Sequence, residues 1–104
     1  MEDKINEIIS KEKAVIFSKS HCPYCVKAKS AFAACSVSPK VIELDEMSTS
    51  DMMNYQDALG KLTGARSVPR VFVGGKFIGG GDDTAALAAS GALKKLCQSV
   101  GLGL

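Results

Sequence analysis

Ile5, Ile8 and Ile9 stand three and four residues apart among charged and polar neighbours, which predicts a short amphipathic helix from Asp3 to about Lys11. The rhythm then changes. Ala14-Val15-Ile16-Phe17 is an unbroken apolar run of strand length, the pattern of a central strand covered on both faces. From Pro23 to about Ala34 a helix is predicted, with Val26, Ala28, Phe32 and Ala33 as its buried side. Val41-Ile42-Glu43-Leu44 reads as a second strand, set off by Pro39 and closed by Asp45 and Glu46.

Met52, Tyr55, Leu59 and Leu62 step by three or four, so a longer helix is expected between Ser50 and Leu62, with Gly64 as its stop. Val71-Phe72-Val73, Gly74-Gly75 and Lys76-Phe77-Ile78 form a strand, a glycine turn and a strand, a strong hairpin signal. Asp82 or Asp83 is expected to cap a last helix with Leu87, Leu93, Leu96 and Val100 inside it, and Gly101 and Gly103 to let its tail fray. The order is α-β-α-β-α-β-β-α. A right-handed crossover makes the first two strands parallel, the hairpin adds antiparallel strands, and helices cover both faces. The expected fold is therefore α/β and thioredoxin-like, with a four-stranded mixed sheet.

At 104 residues, with no linker, repeat or low-complexity segment, the chain is read as one domain, 1–104. Apolar residues at 46% and charged residues at 23% are ordinary globular usage. A net charge of +2, with 13 basic residues dispersed along the chain, does not provide the basic stripe that a phosphate backbone needs, so no nucleic-acid partner is expected. No stretch approaches the roughly 20 apolar residues of a membrane span. Met1-Glu2-Asp3-Lys4 leads straight into the helical pattern without a signal-like apolar region, so a cytoplasmic location is expected.

Four cysteines could suggest a secreted disulfide scaffold, but Cys22 and Cys25 are too close in sequence for that, and the chain is long enough to build its own core. His21-Cys22-Pro23-Tyr24-Cys25 directly follows a strand and opens a helix, the setting that makes a C-x-x-C a redox motif. With Pro23 at the first helical position, where its missing N–H costs nothing, Cys22 falls at the N-cap. Its sulfur is then placed to accept from the N–H groups of Tyr24 and Cys25. The helix macrodipole and Lys19 add positive charge at the same end. A free thiol of pKa about 8.5 is only a few per cent thiolate at neutral pH, and such surroundings make the thiolate a major species. Cys25, one turn inside, is the expected resolving thiol.

The competing reading of the pair is half of a zinc or iron–sulfur site completed by Cys35 and Cys97. Those two are isolated, and each lies in a helical apolar pattern, so they are read as small core fillers and no metal is expected. His21 is read as a neighbour and not a base, because the helix end and Lys19 already favour the thiolate.

Three segments together resemble the glutaredoxin family. Lys19 to Cys25 is similar to its active-site motif and Leu62-Thr63-Gly64-Ala65-Arg66-Ser67-Val68-Pro69-Arg70-Val71-Phe72 to its cis-proline motif. Gly79-Gly80-Gly81-Asp82-Asp83 is similar to its glutathione motif, and Ser90-Gly91 also looks like the family. The order and spacing match, and the resemblance covers nearly the whole chain. It implies a monomeric glutathione-dependent oxidoreductase acting on glutathionylated and disulfide-containing proteins, with glutathione as reducing co-substrate. It further implies that Lys19, Gln56 and Arg66 hold the glycyl carboxylate of glutathione. Val68 before a cis Pro69 pairs with the cysteine backbone, Gly80, Asp82 and Asp83 receive the γ-glutamyl end, and Tyr24 is a further glutathione-binding residue.

Two rivals remain. A thioredoxin is disfavoured because tryptophan, common just before the first cysteine of thioredoxins, is absent. An iron–sulfur carrier, in which two chains share a cluster, is disfavoured by Pro23, since cluster-binding relatives usually have another residue there.

Overall fold

The protein is described by a computed structural model covering residues 1–102. It contains α1 (Glu2–Lys11), β1 (Ala14–Ser18), α2 (Pro23–Ala34), β2 (Lys40–Glu43), a 3-10 turn (Leu44–Glu46) and α3 (Thr49–Thr63). β3 (Arg70–Val73), β4 (Lys76–Gly79), α4 (Gly81–Ser90) and α5 (Ala92–Ser99) follow. The sheet order is β2-β1-β3-β4, with β1 parallel to β2 and the other neighbours antiparallel. The expected thioredoxin-like sheet is present.

β1 is buried along its whole length, and its alternating side chains feed two separate cores. Ala14 and Ile16, with Val71 and Val73 of β3, meet Ala28, Ala31 and Phe32 of α2 and Leu93 and Cys97 of α5. Val15, Phe17 and Phe72 point the other way, onto Ile5 and Ile9 of α1 and Tyr55, Ala58 and Leu59 of α3. Phe17 sits edge-on to Phe72, with ring centroids 5.7 Å apart. Burying both faces of β1 holds rigid the strand end from which the cysteine loop departs.

Three expectations need correction. The last helix is two helices: Gly91 takes φ 85° at the C-cap of α4, so the chain turns before α5 begins. Leu87 and Leu93 therefore belong to different helices, and Val100 lies just beyond α5. On α2, Val26 is 52% exposed and Ala33 is exposed, whereas Cys25 and Ala31 are buried with Ala28 and Phe32. Apolar residues encircle that helix, so their spacing could not select the packed side. Finally, Leu62 is exposed, and Leu44 belongs to the 3-10 turn and not to β2.

Elsewhere the local chemistry matches the elements. Ser48 caps α3 by accepting from Asp51 N at 3.1 Å, and Gly64 ends it in the left-handed region. Gly74 and Gly75, at φ 60° and 78°, form the hairpin turn between β3 and β4. The fraying expected at Gly103 lies outside the described residues.

Candidate active site

Cys22 is the N-cap of α2 and Pro23 its first residue, so the half-buried sulfur stands at the positive end of the helix. Its side chain does not form a capping hydrogen bond; Sγ leans instead towards the Val68 carbonyl, 3.9 Å away. The expected capping hydrogen bond is thus not closed, although the Tyr24 and Cys25 N–H groups still act on the sulfur and favour its thiolate.

Burial by itself pushes the Cys22 thiol up. The Cys25 thiol, the N–H groups of Cys25 and Tyr24 and the charge of Lys19 act in the opposite direction and together bring it below its ordinary value. Cys25 is fully buried and moves the other way, pushed up mainly by desolvation. Lys19 N donates to its sulfur at 3.4 Å. The two sulfurs are free thiols with opposite tendencies, one poised to ionise and one to stay protonated.

The cysteine loop is tied down from the 3-10 turn. Ser20 N and Ser20 Oγ both donate to the Asp45 carboxylate, at 3.0 and 2.5 Å, and these bonds hold that carboxyl below its usual range.

A cleft of about 340 Å³ lies beside the motif, lined by Tyr24, Val68, Pro69, Arg70, Gly80 and Asp83 among others. The Val68–Pro69 peptide is cis. Asp82 and Asp83 also line the cleft, on the first turn of α4. Neither is the N-cap: that is Gly80, whose N–H donates back to Asp83 Oδ2 at 3.2 Å. Gly81 brings α4 against α2 so closely that a Cβ there would lie 2.5 Å from the Tyr24 carbonyl oxygen.

The structure thus gathers Cys22, Tyr24, Val68, Pro69, Gly80, Asp82 and Asp83 at one place. Gln56 and Arg66 are not in that cleft. Gln56 Nε2 donates to Arg66 O at 3.0 Å, and Arg66 Nε donates to Asp57 at 2.8 Å beside a separate hollow. Cys35 packs half-buried against the core and Cys97 lies within it, as fillers do. Among the described residues, no three or more His, Cys, Asp or Glu side chains are gathered as metal ligands would be.

Three residues of the site escaped sequence reasoning. Arg70 folds back so that Nε donates to Pro69 O at 3.0 Å, and its guanidinium covers the Phe77 ring at the cleft wall. Lys27 bridges α2 and α4 through Asp82 at 2.6 Å. Ser18 is fully buried at the end of β1, where its hydroxyl donates to Lys19 O at 3.3 Å and its nearness offsets part of the rise that burial imposes on the Cys25 thiol. Its one sequence signal is a hydroxyl closing an otherwise apolar run.

The glutaredoxin family profile matches residues 14–78. Glutaredoxin-C4 of Arabidopsis thaliana is 51% identical over 90% of this chain and 68% of its own length. The mitochondrial glutaredoxin-2 of Bos taurus is 48% identical over 90% of this chain and 59% of its own. The oxidized glutaredoxin 2 of Chlamydomonas reinhardtii superposes with a TM-score of 0.89 at 48% identity, over 96% of this chain and 92% of that one. A buckwheat glutaredoxin–glutathione complex reaches 0.91 at 35% identity, over 99% and 92%. With the dithiol motif, the cis-proline and the fold in agreement, the chain belongs to the glutaredoxin family, the glutathione-dependent thiol–disulfide oxidoreductases.

Proposed function

We propose that Cys22 is the attacking thiolate for two kinds of substrate and that Cys25 serves only one of them. On a glutathionylated protein, Cys22 attacks the glutathionyl sulfur. The mixed disulfide breaks, the protein leaves as a thiolate that takes up a proton, and glutathione stays on Cys22. A second glutathione thiolate attacks that glutathionyl sulfur, forming glutathione disulfide and freeing Cys22. On a protein disulfide, Cys22 forms the mixed disulfide, and Cys25, once deprotonated, attacks Cys22 Sγ and expels the substrate thiol. Two glutathiones then reduce the Cys22–Cys25 bridge.

The observation that carries this reading is the placement of the two sulfurs, Cys22 half-buried at the N-cap of α2 and Cys25 fully buried one turn inside, which favours the thiolate of the first and the thiol of the second. The cleft supports a glutathione pose in which Val68 and the cis Pro69 meet the cysteine backbone. The first turn of α4 meets the γ-glutamyl carboxylate, and Asp82 or Asp83 the ammonium. Tyr24 and Gly80 line the same cleft. Lys19, Gln56 and Arg66 are assigned the glycyl carboxylate; the last two reach it after Arg66 exchanges its exposed Asp57 partner for the ligand, an inexpensive exchange. The chain is read as one domain acting as a monomer.

A coupled glutathione assay tests the assignment. Cys22→Ser should abolish both activities, and Cys25→Ser should keep deglutathionylation while losing most protein-disulfide reduction. Equal loss from the two substitutions would contradict it. A cytoplasmic location belongs to the same proposal. Similar proteins include mitochondrial and chloroplastic forms, and no helix among the described residues is long and apolar enough to cross a membrane. A fluorescent fusion of the full chain concentrated in an organelle would overturn that assignment.

A further inference from the structure

We propose that Arg70 is a specificity-determining residue of the cleft: a fixed cation beside the N-cap of α4 that receives the γ-glutamyl α-carboxylate and favours glutathione over thiols lacking that group. The inference rests on the glutathione pose proposed above. Arg70 opens β3 directly after the cis Pro69 and lines the cleft. Its side chain is held at three points. Nε donates to Pro69 O at 3.0 Å, Nη2 donates to Ser67 Oγ at 3.4 Å, and Cζ lies 5.1 Å from the centroid of the Phe77 ring. A Cβ on Gly80 would lie 3.2 Å from Nη2, so the guanidinium rests against the bare backbone of the α4 N-cap.

This cation lacks an anion. The ion pairs among the described residues engage Lys11, Lys27, Lys29 and Arg66, and none reaches Arg70. Nη1 meets no acceptor among those residues. Asp83 is turned to Gly80, whose N–H donates to its Oδ2 at 3.2 Å. Its charge offsets only part of the desolvation that lowers the pKa of the guanidinium. A half-buried charge without a counter-ion is costly, and in a cleft it marks the place of a ligand group of opposite sign. The Nη1–Nη2 edge, with only the long Ser67 contact on it, suits a carboxylate as a planar fork. Glutathione brings two carboxylates. The glycyl one is assigned to Lys19, Gln56 and Arg66, none of which lines this cleft. The γ-glutamyl one arrives at the first turn of α4, where the N–H groups of the helix and Arg70 act on it together. Because the guanidinium is already held in place, little freedom is lost when the ligand arrives.

The test compares two mixed disulfides of mercaptoethanol, one with glutathione and one with γ-aminobutyryl-cysteinylglycine, which keeps the ammonium and lacks only the α-carboxylate. Each reacts with the reduced Cys25→Ser protein, in which the peptide stays on Cys22 and is counted by mass after quenching. Arg70→Gln in that background should slow the reaction of the glutathionyl disulfide about tenfold, the worth of one hydrogen bond to a charged group, and leave the other disulfide unchanged. Arg70→Lys keeps the charge without the fork and should lose about threefold, again with glutathione alone. Equal slowing of both disulfides would make Arg70 a mere support of the cleft and overturn the proposal, as would no slowing of either. A loss absent here and found only with glutathionylated proteins carrying acidic residues beside the cysteine would overturn it too, by giving Arg70 to the protein's carboxylate. A Cys25→Ser protein with Arg70 intact that does not distinguish the two disulfides would instead remove the γ-glutamyl pose itself.

Discussion

Replacing Gly81 by alanine should open the active-site cleft from behind. Gly81 is the first residue of α4, and a methyl there would lie 2.5 Å from the Tyr24 carbonyl oxygen and 3.1 Å from Tyr24 Cβ. Ordinary contact begins at 3.4 Å, so α4 and α2 must separate by about 0.9 Å. The obstacle is helix backbone, which cannot rotate away as a long side chain would. Overpacking of this kind costs about 1–3 kcal/mol, on the order of 10 °C in Tm for a chain of this length. The displaced turn carries Gly80, Asp82 and Asp83, so the recess proposed for the γ-glutamyl group widens as well. A misplacement of that size should lower kcat/KM for glutathione roughly tenfold or more. Gly91→Ala supplies the control. It meets nothing within 4 Å but sits at φ 85°, so it should cost about 1 kcal/mol of backbone strain without touching the cleft. Thermal melts and glutathione titrations at fixed disulfide concentration measure both effects. A Gly81→Ala protein with wild-type KM, or one that loses affinity only as much as Gly91→Ala does, would refute the reasoning.

Other outcomes follow from the same geometry. Alkylation of Cys22 by iodoacetamide should titrate below the roughly 8.5 of a free thiol, and Lys19→Gln should move the midpoint upward. Because this thiol's folded-state value is depressed, its ionisation contributes stability that is fully present above the unfolded pKa and is lost as pH falls through the folded one. Urea melts of wild type and Cys22→Ser across that window should converge on the acid side. Asp45→Asn should weaken the tether to Ser20 and lower Cys22 reactivity while leaving the melting midpoint nearly unchanged, since the carboxylate is at the surface. Phe32→Ala should remove about 3–5 kcal/mol, measured by urea unfolding, because the ring is fully buried between α2 and the sheet.

The parts legible from residue order were those with one dominant local cause. Ala14 to Phe17 admitted no polar face and proved to be the doubly covered strand; Gly74-Gly75 could hardly be other than a turn. Gly91 misled because Leu87, Leu93 and Leu96 continue a helical spacing across it, and spacing is blind to the sign of φ. Around α2 the apolar residues were too many to reveal which of them pack. At the site, the cysteine pair announced itself through Pro23 and the preceding strand. Ser18, Lys27 and Arg70 act on partners from other segments, Cys25, Asp82 and the Phe77 ring. A contact formed only by folding leaves little trace in the residues that make it.

The distance in sequence between Cys22 and Val68 has a temporal side. During synthesis both sulfurs are complete while the loop that will face Cys22 is still to be made, and a lone twelve-residue helix is marginal in water. The emerging segment therefore carries unremarkable thiols. Reactivity arrives once the rest of the fold holds α2 helical and sets its N–H groups and Lys19 around Cys22, so an unfinished chain is protected from trapping stray disulfides.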